Sequence, residues 1–297
     1  MRRNDVDIYK GILVWFVVIS HIMALSEWAS NTFVFRLITN SHIPLFMGIS
    51  GFLFNPNKII NFKLLRRLLL PWMMANFVYF LLKSASFDMR GIVFGFETHL
   101  WYIPSIIFFM MYIYIIEKLV GEGTRNLIVL ALIFVISLVF PFSEILFTGD
   151  TMAVKLIRFV CSNFRLQFLV YFMTGYLSKK FSITVLHNKL WVIAGVVILL
   201  LAGITSNPVF WIIRIIGNVM LIVGLLTDIT EIKLDNKMIK FFHISGKNSM
   251  FIYLWHVVPL TLSMPIESKL IIMLIWLIVL SFVMLKNVRK MPFLGLE

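Results

Sequence analysis

The sequence predicts an all-α protein, a polytopic bundle of transmembrane helices. Of its 297 residues 60% are hydrophobic and only 14% are charged. Mean hydropathy is +0.95, and long apolar runs recur along the whole chain. A soluble domain of this length has too little interior to hide so much apolar surface. Runs of about 20 residues instead match a hydrocarbon layer roughly 30 Å thick. Lipid gives the backbone no hydrogen-bond partners, so only helices and closed barrels cross it, and these runs are too long for barrel strands.

In chain order the predicted spans are 8–27, 33–54, 68–83, 100–118, 126–142, 165–178, 190–205, 208–227, 247–263 and 269–286. No small-residue cleavage site follows the first, so it reads as a retained helix and not as a signal peptide. Connections are short, and residues 1–297 read as a single integral-membrane domain without internal repeats. About ten spans put both termini on one side. On that side fall 18 of the 27 Lys and Arg residues, against 8 on the other, with Lys10 at the boundary. The bias predicts cytoplasmic termini and a multi-pass protein of the cytoplasmic membrane. It also accounts for much of the net charge of +13 without nucleic acid as a partner. The single cysteine, Cys161, excludes an internal disulfide, and six scattered histidines give no metal site.

Several spans carry residues that hydrocarbon does not tolerate alone. In the first, "YKGILVWFVVISHIMALS", Lys10 and His21 are eleven residues apart. Eleven steps make about three turns plus 20°, so the two share a helix face and lie about 16 Å apart along the axis. Either the pair faces a polar interior, or Lys10 snorkels to headgroups and His21 is a satisfied structural histidine. In the second span, "TNSH" precedes a twelve-residue run, "IPLFMGISGFLF". Asn40, Ser41 and His42 then belong to a broken helix lining a cavity, or to the outer interface. Pro44, Gly48 and Gly51 permit a bend or a close helix approach.

Further along, Glu97 and His99 lie at the outer mouth of the fourth span, and His256 lies inside the ninth, eight residues beyond Asn248. The loop "NPNKIINFKLLRRLLLP" puts Lys63, Arg66 and Arg67 at the i, i+3, i+4 spacing of one helix face. Such a cluster suits phosphate groups, or anionic lipid at the membrane surface. On the outer side, Lys155, Arg158, Ser162 and Arg165 form the polar stripe of an expected amphipathic interfacial helix.

These residues also carry a resemblance. "DIYKGILVWFVVISHI", "SHIPLFMGISGFLF", "HLWYIPSIIFF", "ISGKNSMFIYLWH" and the basic segment with Lys63 and Arg66 occur in order between Asp7 and His256. Together they resemble the integral-membrane acyltransferase 3 family, especially its short members similar to fucose 4-O-acetylases. The resemblance implies an O-acyltransferase that moves an acyl group, usually acetyl from acetyl-CoA, to a hydroxyl of an envelope glycan or glycolipid. Lys10, Lys63, Arg66 and Arg67 are then the candidates for the phosphates of the acyl-CoA cofactor. His21 is the candidate general base, suited to an alcohol near neutral pH. Lys10 stands between the donor and that base, and His42 orients it or stabilises the oxyanion. Glu97, His99, Trp101, Asn248 and His256 are candidates for contacting the substrate. The expected partners are membrane lipid, acyl-CoA and a glycan acceptor. A covalent acyl-His21 intermediate is the mechanistic rival, and a transporter or flippase for a lipid-linked glycan is the functional one.

Overall fold

The computed structural model describes residues 3–58, 62–83, 99–183, 185, 188–204, 210–227, 232–262 and 264–286. Among the described residues all regular structure is helical. The main helices are α1 (Asn4–Met23), α2 (Glu27–Ser30), α3 (Phe33–Leu53), α4 (Phe62–Lys83), α5 (Tyr102–Val120), α6 (Thr124–Ser137) and α7 (Ser143–Leu146). They are followed by α8 (Met152–Asn163), α9 (Leu169–Lys180), α10 (Asn188–Gly203), α11 (Phe210–Thr227), α12 (Lys237–Lys247), α13 (Ser249–Trp255) and α14 (Ile266–Leu285). Each of the ten predicted spans overlaps helical structure. Among the described residues, five segments are long and apolar enough to cross a membrane: α1, α5, Thr124–Phe142, α11 and α14. A sixth is added if α8 and residues 166–180, bent by 57° at their junction, count as one span.

The second span does not show the break that is one of its two expected arrangements. α3 runs unbroken through "TNSH" and past Pro44. Its polar side chains turn back on their own helix: Thr39 Oγ1 donates to Phe35 O at 2.8 Å, and Ser41 Oγ to Leu37 O at 2.8 Å. Hydroxyls that bond carbonyls one turn back meet their needs inside the helix, so a polar run does not have to end it. The outer basic stripe is also shorter than expected. α8 stops at Asn163, and Arg165 takes a left-handed conformation, φ 51° and ψ 47°, that turns the chain into Leu166–Phe168.

The chain divides into two compact units. The first comprises residues 1–42, 62–100 and 229–297, and the second residues 43–61 and 101–228. In unit one, α1 packs along α12 and touches α13, which in turn meets α4. Glycine makes the first contact possible. A Cβ on Gly11 would stand 1.9 Å from Phe242 O, and one on Gly246 would stand 1.6 Å from Asp7 O. Lipid supplies no hydrophobic drive for helix association, so such backbone-to-backbone approach, with its dense dispersion contacts, has to supply cohesion. Unit two repeats the device. A Cβ on Gly175 would lie 1.8 Å from Gly48 O, and one on Gly51 would lie 1.9 Å from Phe172 O. Gly48 and Gly51 therefore serve close helix packing between α3 and α9.

Candidate active site

Unit one assembles three histidines from distant parts of the sequence. His21 occupies the last turn of α1, His42 lies in α3, and His256 follows α13 directly. His42 is 6% exposed and His256 is fully buried, whereas His21 is half-buried. The rings of His21 and His256 have centroids 5.2 Å apart and planes tilted by 49°.

The main chain sets the hydrogen positions of two of these rings. His42 Nδ1 lies 2.6 Å from Ile38 O. His256 Nδ1 lies 3.0 Å from Ile252 O and 3.0 Å from Tyr253 O. A carbonyl oxygen only accepts, so each Nδ1 carries the hydrogen and donates it. In the neutral ring this leaves Nε2 with its lone pair. A neutral His42 thus has no N–H at Nε2 to give an oxyanion. Of the two roles expected for it, the orienting one suits this tautomer.

His256 sits in a braced segment. α13 ends at Trp255, and the last carbonyls of a helix have no further turn to satisfy them. Tyr79 of α4 donates its hydroxyl to Leu254 O at 2.7 Å, and Trp276 of α14 donates Nε1–H to Trp255 O at 2.7 Å. Two aromatic side chains from separate helices therefore fix the backbone on which His256 is mounted. Asn248 is buried at the turn between α12 and α13, where its Nδ2 donates to Ile244 O at 3.1 Å. That position gives it a helix-ending role.

Lys10 has a carboxylate partner on its own helix. Its Nζ is 3.0 Å from Asp7 Oδ1, and the Asp7 side chain is 5% exposed. The i, i+3 spacing of Asp7 and Lys10 is readable in the sequence. Nearby, Trp15 Nε1 donates to Ser245 Oγ at 3.0 Å and ties the middle of α1 to α12.

The remaining predicted residues are placed unevenly. Arg66 and Arg67 are exposed on α4. Lys63 belongs to the same helix, but its side chain lies outside the described residues. Glu97 lies outside them altogether, and His99 begins the short turn His99–Trp101 with its side chain outside them. Trp72 Nε1 donates to Leu100 O at 3.1 Å and steadies that turn. Trp101 belongs to unit two. There Arg165 sits with its guanidinium carbon 5.3 Å from the ring centre, and Phe168 stacks at 5.5 Å and 14°.

The ring contact brings together two histidines from distant parts of the sequence, one of them with its Nδ1 held by main-chain carbonyls. Sequence reasoning placed His21 and His256 separately but had no means to join residues so far apart. Nothing in the sequence marks Tyr79 or Trp276 as their supports.

A family model described as an acyltransferase domain matches residues 3–285. No curated protein and no solved structure matches the chain.

Proposed function

The chain belongs to the Acyl_transf_3 family of membrane acyltransferases, and from that premise we propose that it is an O-acyltransferase whose chemistry is carried by His21 with His256 and His42 beside it. The acyl donor is acyl-CoA, with acetyl the expected group, and the acceptor is a hydroxyl of a cell-envelope polysaccharide or glycolipid. The observation that supports this reading most directly is the 5.2 Å ring pair of His21 and His256, with His256 Nδ1 occupied by carbonyls.

In the proposed step, His256 Nε2 accepts the N–H of His21 and leaves the other His21 nitrogen as the base. That nitrogen takes the acceptor's hydroxyl proton as the oxygen attacks the thioester carbonyl. A carbon–oxygen bond forms, the carbon–sulfur bond breaks, and the proton passes from His21 to the departing thiolate. The products are the ester and free CoA. A positioned base of this kind contributes about 10²–10⁴-fold. His42, whose Nε2 also holds a lone pair, accepts a hydrogen bond from the acceptor or from His21 and holds the geometry.

Lys10, paired with Asp7, is a cation at the head of the same helix. Together with Lys63, Arg66 and Arg67 it supplies the cytoplasmic charge expected to meet CoA. This assumes about ten spans with both termini in the cytoplasm, the arrangement that the distribution of basic residues favours. A broken second span would favour the transport alternative, and α3 is continuous.

The test is proton NMR of envelope polysaccharide from cells lacking the protein, complemented with wild type or His21→Ala at equal membrane levels. Wild type should restore O-acetyl signals and His21→Ala should not. Unchanged acetylation in the deletion, with less polymer at the surface, would overturn the reading in favour of transport. Full activity of His21→Ala would leave the family membership and remove the mechanism.

A further inference from the structure

We propose that unit two carries a second binding site, for the phosphate-bearing end of a nucleotide, in a cavity of about 860 Å³ where the ends of α3, α5, α6 and α9 meet. The volume falls in the range of small-molecule pockets, about 300–1,000 Å³, and far exceeds what a single phosphate fills. Three lysines and two glutamates line it, together with the aromatic rings of Phe54, Tyr176 and Phe181.

The charges are not equivalent. Glu117 is held by three donors: Tyr176 Oη and Lys180 Nζ at Oε1, and Asn126 Nδ2 at Oε2 at 3.1 Å. Lys180 also donates to Asn126 Oδ1 at 2.7 Å. This closed network neutralises one lysine with one carboxylate and makes a rigid wall. Lys179 is tethered differently. Its Nζ donates to Phe54 O at 3.2 Å and to Leu53 O at 3.5 Å, which keeps the ammonium at the cavity wall. Lys118 stands exposed at the rim, with its Nζ 5.9 Å from the Tyr114 ring centre.

The remaining wall is the turn Gly121–Thr124. Gly121 and Gly123 have φ of 75° and 104°, and Gly123 caps α6 without a side chain. The first turn of α6 thus adds main-chain N–H donors to the lysine charge. Cations and N–H groups hold phosphate oxygens, and the aromatic rings give a flat base an apolar surface. A bare phosphate would leave those rings unused. Asn55 and Asn57 add amides able to meet the edges of a base.

The identification of the nucleotide as CoA rests on the acyl-transfer reading; the site itself does not. Binding is measured on the full chain in nanodiscs of zwitterionic lipid, with CoA, adenosine 3′,5′-bisphosphate and inorganic phosphate as probes. Anionic phosphatidylglycerol discs serve as a parallel arm. Both nucleotides should bind, and phosphate alone should bind far more weakly. Lys118→Gln combined with Lys179→Gln should weaken nucleotide binding about tenfold to hundredfold, the scale of lost charge-assisted hydrogen bonds. Lys179→Arg alone should keep most of the affinity.

Unchanged nucleotide affinity in a folded double variant overturns the inference. Competition by phosphate equal to that of CoA identifies a free-phosphate site instead. Loss of nucleotide binding in anionic discs identifies a lipid-headgroup site. If the double variant binds normally while His21→Ala abolishes transfer, the cavity proposal fails and acyl transfer stands. Lysine-dependent nucleotide binding without any acyl transfer has the opposite meaning: the cavity holds a nucleotide, and the acyl-transfer reading falls.

Discussion

The buried histidines of unit one and the Glu117 network of unit two satisfy their polar groups in opposite ways. In unit one the side chains of His42 and His256 bond main-chain carbonyls, which uses one nitrogen of each ring and leaves the other defined. In unit two Glu117, Asn126, Tyr176 and Lys180 bond one another. Backbone partners are fixed by the helix and set a tautomer, which suits proton transfer. Side-chain partners quench each other's charge and build a wall, which suits holding a ligand. On the readings proposed above, proton transfer belongs to the histidines of unit one and the second ligand site to the cavity of unit two.

The contrast can be broken most sharply at His21. Replacing it by alanine should lower acyl transfer by about 10²–10⁴-fold with membrane levels unchanged, measured as product formed per amount of protein. His256→Gln keeps bulk and polarity but not the ring and should cost less, about 10²-fold, the lower end of that range. If it costs nothing, the ring pair is packing alone. Next comes Gly246→Ala, whose new methyl meets Asp7 O. It should destabilise unit one by about 3 kcal/mol, seen as a lower unfolding temperature in detergent, and this would test whether cohesion depends on that crossing.

Unit two should respond differently. Glu117→Gln strips Lys180 of its counter-charge and should cost about 1–3 kcal/mol of stability. The same protein should bind nucleotide no more weakly, because a cavity wall loses a negative charge. The smallest effect should come from Trp276→Phe, which removes one hydrogen bond to Trp255 O and should cost about 1 kcal/mol. If that variant loses transfer out of proportion to stability, the bracing of His256 is functional as well as structural.

The helical class was legible because hydropathy and run length report directly on the solvent around each segment. The shared face of Lys10 and His21 was legible because a single helix has a known period. The expected break in α3 does not occur because a polar run ends a helix only when its side chains need partners outside it, and Thr39, Ser41 and His42 bond their own helix's carbonyls. What the sequence could not supply is adjacency between helices. The period of α1 says which way His21 points, but the meeting with His256 depends on Gly11 and Gly246 drawing α1 against α12. The cavity of unit two was hidden for the same reason. Its lysines looked like topology signals, and only the fold gathers them with Glu117.

Tyr79 and Trp276 do for Leu254 and Trp255 what solvent does at an exposed helix end. A thioester is worn away by any nucleophile that reaches it, and water, far more abundant than a dilute sugar, wins unless it is kept out. Supplying these hydrogen bonds from phenol and indole removes a foothold for water next to the candidate histidines. On the proposed function, the fraction of acyl groups that reach the acceptor and are not lost to hydrolysis would then depend on two residues with no part in the chemical step.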